Sequence, residues 1–391
     1  MELDMRKLQG FKLRKSHIVY AGLAAALILL NGIAWSSTAF CDGYIKYIFP
    51  IWVNTYGRFM NLFSFSVGEI LLFGAVGLTV LLLIIALTGI LLVIFKKLPR
   101  IRRICKYYTT FYAWLVLLVC LIMTLNCSIL YHASTFSEKY FGVDNEEYTL
   151  EDLIKVRNLV VDKCNAFSGQ MVRDENGEIV YEKDIRQEAI KAMQALGETY
   201  DQLDGYYPRP KPLATSDFFS QQYMCGYYFP FSMEANYNDV MYIMNKPATM
   251  CHELAHLRGY IFEDEANFIS YLACIESEDP VIQYSGYLSV LYYLDNDYYK
   301  AVGRNWDTYI SQPRILEQVD EDNVFLTQEE WDRIEDKAVL DTETVDEVSD
   351  AFTETVLKAN GVSDGMISYS RVVKLLLQYY EVQGLMKTET L

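Results

Sequence analysis

The sequence predicts an α-helical membrane anchor of three transmembrane helices, joined to a mostly helical α+β extracytoplasmic domain with one small sheet. Three observations predict it. Residues 1–131 hold three apolar runs, near 18–35, 70–95 and 111–131. The charge changes sign where the runs end: residues 1–131 carry 13 Lys and Arg against 4 Asp and Glu, a balance of +9, and residues 132–391 carry 21 against 47, a balance of −26. Beyond Pro247 the chain is punctuated as a series of helices, and the strand-like stretch lies just before it, at 213–244.

A hydrocarbon core about 30 Å thick needs roughly 20 helical residues. The second and third runs meet that length, and the first does so with its flanking residues. Orientation follows from the basic residues, which concentrate in cytoplasmic loops. Arg6, Lys7, Lys12, Arg14 and Lys15 precede the first run, and the linker between the second and third, "KKLPRIRRICK", holds six more. The linker between the first two, Phe40–Glu69, has only Lys46 and Arg58. The N-terminus is therefore expected inside, and everything after Tyr131 outside. The first linker, "YIKYIFPIWVNTYGRFMNLF", is expected at the outer interface, where Trp and Tyr are favoured.

In the outer half, Thr149 with Asp152 predicts a capped helix start, with apolar spacing through Val161. A second helix is expected from Asp184 to Leu203, ended by "YYPRPKPL", whose prolines remove donors. "CGYYFPF" and "DVMYIM" read as strands separated by "SMEANYN". Pro247 suits the first turn of a helix that runs to Arg258, with Gly259 as its stop. Further helices are expected from Glu263, from Pro280, around Trp331 behind the pair Thr327 and Glu330, over 344–359 before Asn360-Gly361, and from Ser368 to Gln383. The eight cysteines show no CxxC spacing, and Cys251 and Cys274 read as buried free thiols.

The chemistry lies in "HELAH". His252 and His256 are four apart, so both imidazoles leave one face of a helix and can share one zinc ion. Glu253 between them is the expected catalytic base, since Zn2+ acidifies a water whose proton a carboxylate can take. The other two histidines, His17 and His132, lie in the membrane half and at its edge, so a carboxylate is the expected third ligand. Glu263, Asp264 and Glu265 are the candidates, with Glu263 favoured over Glu265. Glu263 has Asn267 four residues on, an amide able to hold a ligand histidine from behind, whereas Glu265 has Ile269. Hydrolysis also needs a donor for the developing oxyanion, for which Tyr284 and Tyr287 are candidates. "FPFSMEAN" is a candidate strand edge for a peptide, and Arg258 is expected to cap its helix.

The set "YPRPKPL", "GYYFPFSMEANYN", "HELAHLRG", "EDEANFISYLAC" and "YSGYLSVLYYL" resembles the bacterial membrane family called domain of unknown function 3810, over nearly the whole chain. That family is similar to zinc peptidases of the glutamate-zincin type, in which E-x-x-A-[DN] supplies the third ligand. Glu263-Asp264-Glu265-Ala266-Asn267 matches with Glu263 as ligand, although the gap after His256 is short for such peptidases and leaves Glu265 open. The resemblance implies a zincin-like fold for residues 132–391 and a Zn2+ cofactor. The expected activity is hydrolysis of peptide bonds in peptides or envelope proteins outside the cytoplasmic membrane. The alternative is a non-proteolytic zinc-binding envelope sensor or scaffold, its ion closed off by a fourth protein ligand. The acidic outer half excludes nucleic acid as a partner, because such binding needs a basic surface.

Overall fold

The computed structural model describes residues 15–94, 99–142, 148–359 and 371–385. Three helical segments are long and apolar enough to cross a membrane: Lys15–Ser36, Val67–Gly89 and Arg103–His132. The third changes pitch at its end, through a π turn at Thr124–Ser128 and a 3-10 turn at Leu130–His132. Polar side chains in the spans pair with one another, as hydrocarbon requires. Asn31 donates to Thr124 Oγ1 at 2.9 Å and accepts from Ser128 Oγ at 2.7 Å, joining the first span to the third. The Tyr108 hydroxyl donates to the Leu78 carbonyl at 2.6 Å, joining the third to the second.

The connector between the first two spans packs on the large domain. It forms short helices at Thr38–Tyr47, Phe49–Trp52 and Arg58–Met60, with a π turn at Val53–Gly57. Cys41, Tyr44, Ile45, Phe49 and Val53 enter the same core as the large domain. Its aromatic run has two faces: one packs on the domain, while Phe59, Leu62 and Phe65 stay exposed beside the start of the second span.

The core of the large domain is built from the helices Leu150–Ser168, Ile185–Thr199, Lys246–His256, Glu263–Ile275, Pro280–Ala301 and Arg371–Val382. The expected starts hold locally. Thr149 and Asp152 form a reciprocal capping box, and Asp279 accepts from the Val281 amide at 2.9 Å ahead of Pro280. Thr342–Ala359 is helical, while the expected stop at Asn360-Gly361 and the start at Ser368 lie outside the described residues. Cys251 and Cys274 are buried, their Sγ atoms 3.9 Å apart.

The sheet departs from expectation. It has three strands in the order β1-β3-β2: β1 (Lys211–Pro212), β2 (Gly226–Phe229) and β3 (Glu234–Tyr237). β3 lies inside "SMEANYN", which reads as a connector because of its polar residues. Those residues are buried and paired: Glu234 with Lys211, Asn236 with the Tyr227 carbonyl, and Asn238 with Ser220. "DVMYIM" is not a strand; it buries Met241 and Met244 and turns through 3-10 residues Ile243–Asn245 into the next helix. The edge strand beside the histidine helix is β2, and "FPFSMEAN" spans the last residue of β2, the turn and most of the central strand β3.

Candidate metal centre

Helix Lys246–His256 begins with Pro247 in its first turn and ends where Gly259 takes φ +91°, a conformation that favours glycine. A side chain there would also strike the connector, since a Cβ on Gly259 would lie 3.0 Å from Ile45. Arg258 does not cap its own helix. Its guanidinium reaches across to the carbonyls of Gln202 (3.0 Å) and Asp204, clamping the turn after helix Ile185–Thr199. The short link Leu257–Phe262 then reverses the chain, and the next helix opens directly on Glu263.

This reversal brings His252, His256 and Glu263 together, with ligand atoms all within 4.8 Å of one another. Each imidazole is held at its Nδ1. His252 Nδ1 faces Asn267 Oδ1 at 2.8 Å, and His256 Nδ1 faces the Tyr260 carbonyl at 2.7 Å. Both partners are acceptors, so each Nδ1 carries a hydrogen, and each Nε2 offers its lone pair to a metal ion when the ring is neutral. The two Nε2 atoms are 3.1 Å apart, and Glu263 oxygens lie 3.0 Å from His252 Nε2 and 3.8 Å from His256 Nε2. A tetrahedral ion with bonds of 2.0–2.1 Å has ligand atoms roughly 3.3 Å apart. The donor set therefore fits zinc in both chemistry and spacing.

Burial opposes charging His252, but Glu263 outweighs it and raises the imidazole to about 9. His256 is pushed down to about 4 by burial. Glu263 is pulled down to about 2 against burial by His252, and its side chain stays 35% exposed, so solvent tempers the effect.

Glu253 stands beside this triad. It is buried, and burial pushes its carboxyl up to about 8. The Tyr228 amide donates to it, while Oε2 has no hydrogen-bond partner. Strand β2 comes so close that a Cβ on Gly226 would lie 2.6 Å from Glu253 Oε1 and 2.9 Å from the Asn236 carbonyl, so only glycine fits there.

The other candidates are sorted by the same geometry. Glu265 points away from the histidines and accepts from the Phe136 amide, with burial raising it to about 8. Tyr284 and Tyr287 are not placed as oxyanion donors. They lie on the face of helix Pro280–Ala301 that meets helix Leu150–Ser168: the Tyr284 hydroxyl donates to Asp322 at 2.8 Å, and the Tyr287 ring stacks on Phe167. Two other tyrosines feel the charge of the site's carboxylates. Burial raises the Tyr293 hydroxyl, with Cys225 and Glu263 adding to it. Burial pushes Tyr227 up to about 12, with Cys127 and Glu253 adding to it. With 31 tyrosines in the chain, no local pattern singles these out.

Among curated proteins and among solved structures nothing matches the chain. A family model described as a protein of unknown function, DUF3810, matches residues 44–377, which include most of the connector, the last two spans and the whole candidate metal centre. The chain belongs to the DUF3810 family.

Proposed function

We propose that this protein is a membrane-anchored zinc metallopeptidase, with its zincin-like domain outside the cytoplasmic membrane. One observation carries the reading: the Nε2 atoms of His252 and His256 and the Glu263 carboxylate converge at 3.0–3.8 Å from one another. Three such donors can share one metal ion. His252, His256 and Glu263 would hold the ion. A bound zinc ion supplies Lewis acidity and lowers the pKa of a water towards neutrality.

Glu253 supplies the base. Its Oε2 lacks a partner, and burial raises its affinity for a proton, so the ionised carboxylate would take a proton from the attacking water and return it to the leaving nitrogen. Tyr293 and Tyr227, whose hydroxyls feel the Glu263 and Glu253 carboxylates, are candidate donors for the developing oxyanion. Three donors with no fourth among the described residues follow the open pattern of catalytic zinc rather than the closed pattern of a structural ion. The placement outside rests on the basic N-terminus and second linker, and the acidic domain is a poor match for nucleic acid.

The test is the purified full-length protein in detergent. It is expected to carry one zinc per chain and to cleave peptides, while Glu253→Gln keeps the zinc and loses the cleavage. Absence of zinc, or a Glu253→Gln variant that cleaves as wild type does, would sink the proposal.

A further inference from the structure

Resting on the peptidase reading, we infer that the substrate is a polypeptide tethered to the bilayer and cut within its first ten or so residues outside the membrane. The reason is the height of the site above the spans. Gly226 lies against Glu253, and three residues further along β2 the ring of Phe229 lies against Gly68, the second residue of the second span. At 3.3 Å per strand residue this separation is about 10 Å. A second route is as short. The Tyr228 ring lies 5.7 Å from the His256 ring, and its hydroxyl donates to the Asn126 carbonyl, in the last turns of the third span, at 3.3 Å. On the other side of the site, the ring of Tyr131 packs edge-on against Phe262, the residue before Glu263.

This height is fixed rather than tethered. The Glu234 carboxylate of β3 accepts from the Val67 and Gly68 amides at 3.2 and 2.7 Å, capping the second span where a helix favours an anion. Glu69, in that span's first turn, accepts from the amides of Ala214 and Thr215 at 2.8 and 2.9 Å. The Asn126 amide donates to the Pro230 carbonyl at 2.8 Å. Exposed Phe59, Leu62 and Phe65 surround this junction with side chains suited to the interface. The headgroup layer is itself about 5–8 Å deep on each side, so the site sits at its outer boundary. A chain leaving the bilayer in extended form covers 10 Å in about three residues. A tethered segment also reaches the site at the high effective concentration that a short linker gives.

The experiment uses full-length protein in phosphatidylcholine vesicles. The reporter is a single transmembrane helix followed by a randomised segment of about 20 residues. The same segment is also supplied in solution without the helix, and products are mapped by mass spectrometry. The anchored library is expected to be cut at least tenfold faster, at sites clustered near the membrane. A six-residue Gly/Ser spacer after the helix is expected to move the cuts into or next to the spacer, holding their distance from the bilayer. Equal cutting of the soluble library, or cuts spread evenly along the anchored one, overturns the inference and leaves the peptidase reading standing. Failure of the zinc-loaded wild type to cut either library overturns both.

Discussion

The Nε2 atoms of His252 and His256 face each other across 3.1 Å because Asn267 and the Tyr260 carbonyl hold the opposite side of each ring. The two imidazoles of the candidate centre are thus oriented from behind. Asn267→Ala leaves the ligands in place but releases the His252 ring. Zinc affinity is expected to fall about 10- to 100-fold, read by chelator competition, with the circular dichroism unchanged. An unchanged affinity would show that the ring is held by packing alone.

The two candidate carboxylates separate cleanly. Glu263→Gln removes a ligand, and the expected result is loss of stoichiometric zinc by elemental analysis. Glu265→Gln replaces a buried carboxyl that only accepts from the Phe136 amide, and zinc content is expected to match wild type. The reverse pattern would move the third ligand to Glu265.

Glu253→Gln preserves shape and the bond from the Tyr228 amide but cannot take a proton. Peptide turnover is expected to drop by roughly 10²- to 10⁴-fold with zinc retained, the range for a lost general base. This requires measuring turnover and zinc on one preparation.

Gly226→Ala puts a methyl group 2.6 Å from Glu253 Oε1 and 2.9 Å from a backbone carbonyl. The expected cost is about 1–3 kcal/mol of stability. Turnover should fall further than the loss of folded protein accounts for, because the base is pushed aside. Thermal unfolding and turnover on the same sample separate the two.

Lys211 and Glu234 form a buried ion pair, and Glu234 also caps the second span. Glu234→Ala strands the lysine and uncaps the span. A loss of about 3–5 kcal/mol is expected, with faster proteolysis at the junction of domain and spans. Resistance equal to wild type would show that the junction does not depend on this carboxylate.

The spans, the helix around "HELAH", its glycine stop and the capped helix starts were legible in sequence because each depends on neighbours within a turn or two. A run of apolar residues, a Pro in a first turn or a Thr with Asp three residues later acts locally. The errors fell where a distant partner reverses the local reading. "SMEANYN" became a strand because Lys211 and Ser220 satisfy its buried polar side chains. Arg258 left its own helix for the carbonyls of Gln202 and Asp204. Tyr284 was taken up by Asp322.

By itself the sequence determined the number of spans and the chemical types at the centre: two imidazoles one turn apart, a carboxylate between them and an acidic stretch close behind. Spacing along one helix settles these, since residues four apart share a face. Only the tertiary structure decided which acidic residue turns to the histidines and how near the centre stands to the spans. Those are set by the reversal at Gly259, by helix packing and by strand β2 running from Glu253 down to Gly68. Such contacts join residues far apart in the chain, and local patterning carries no record of them.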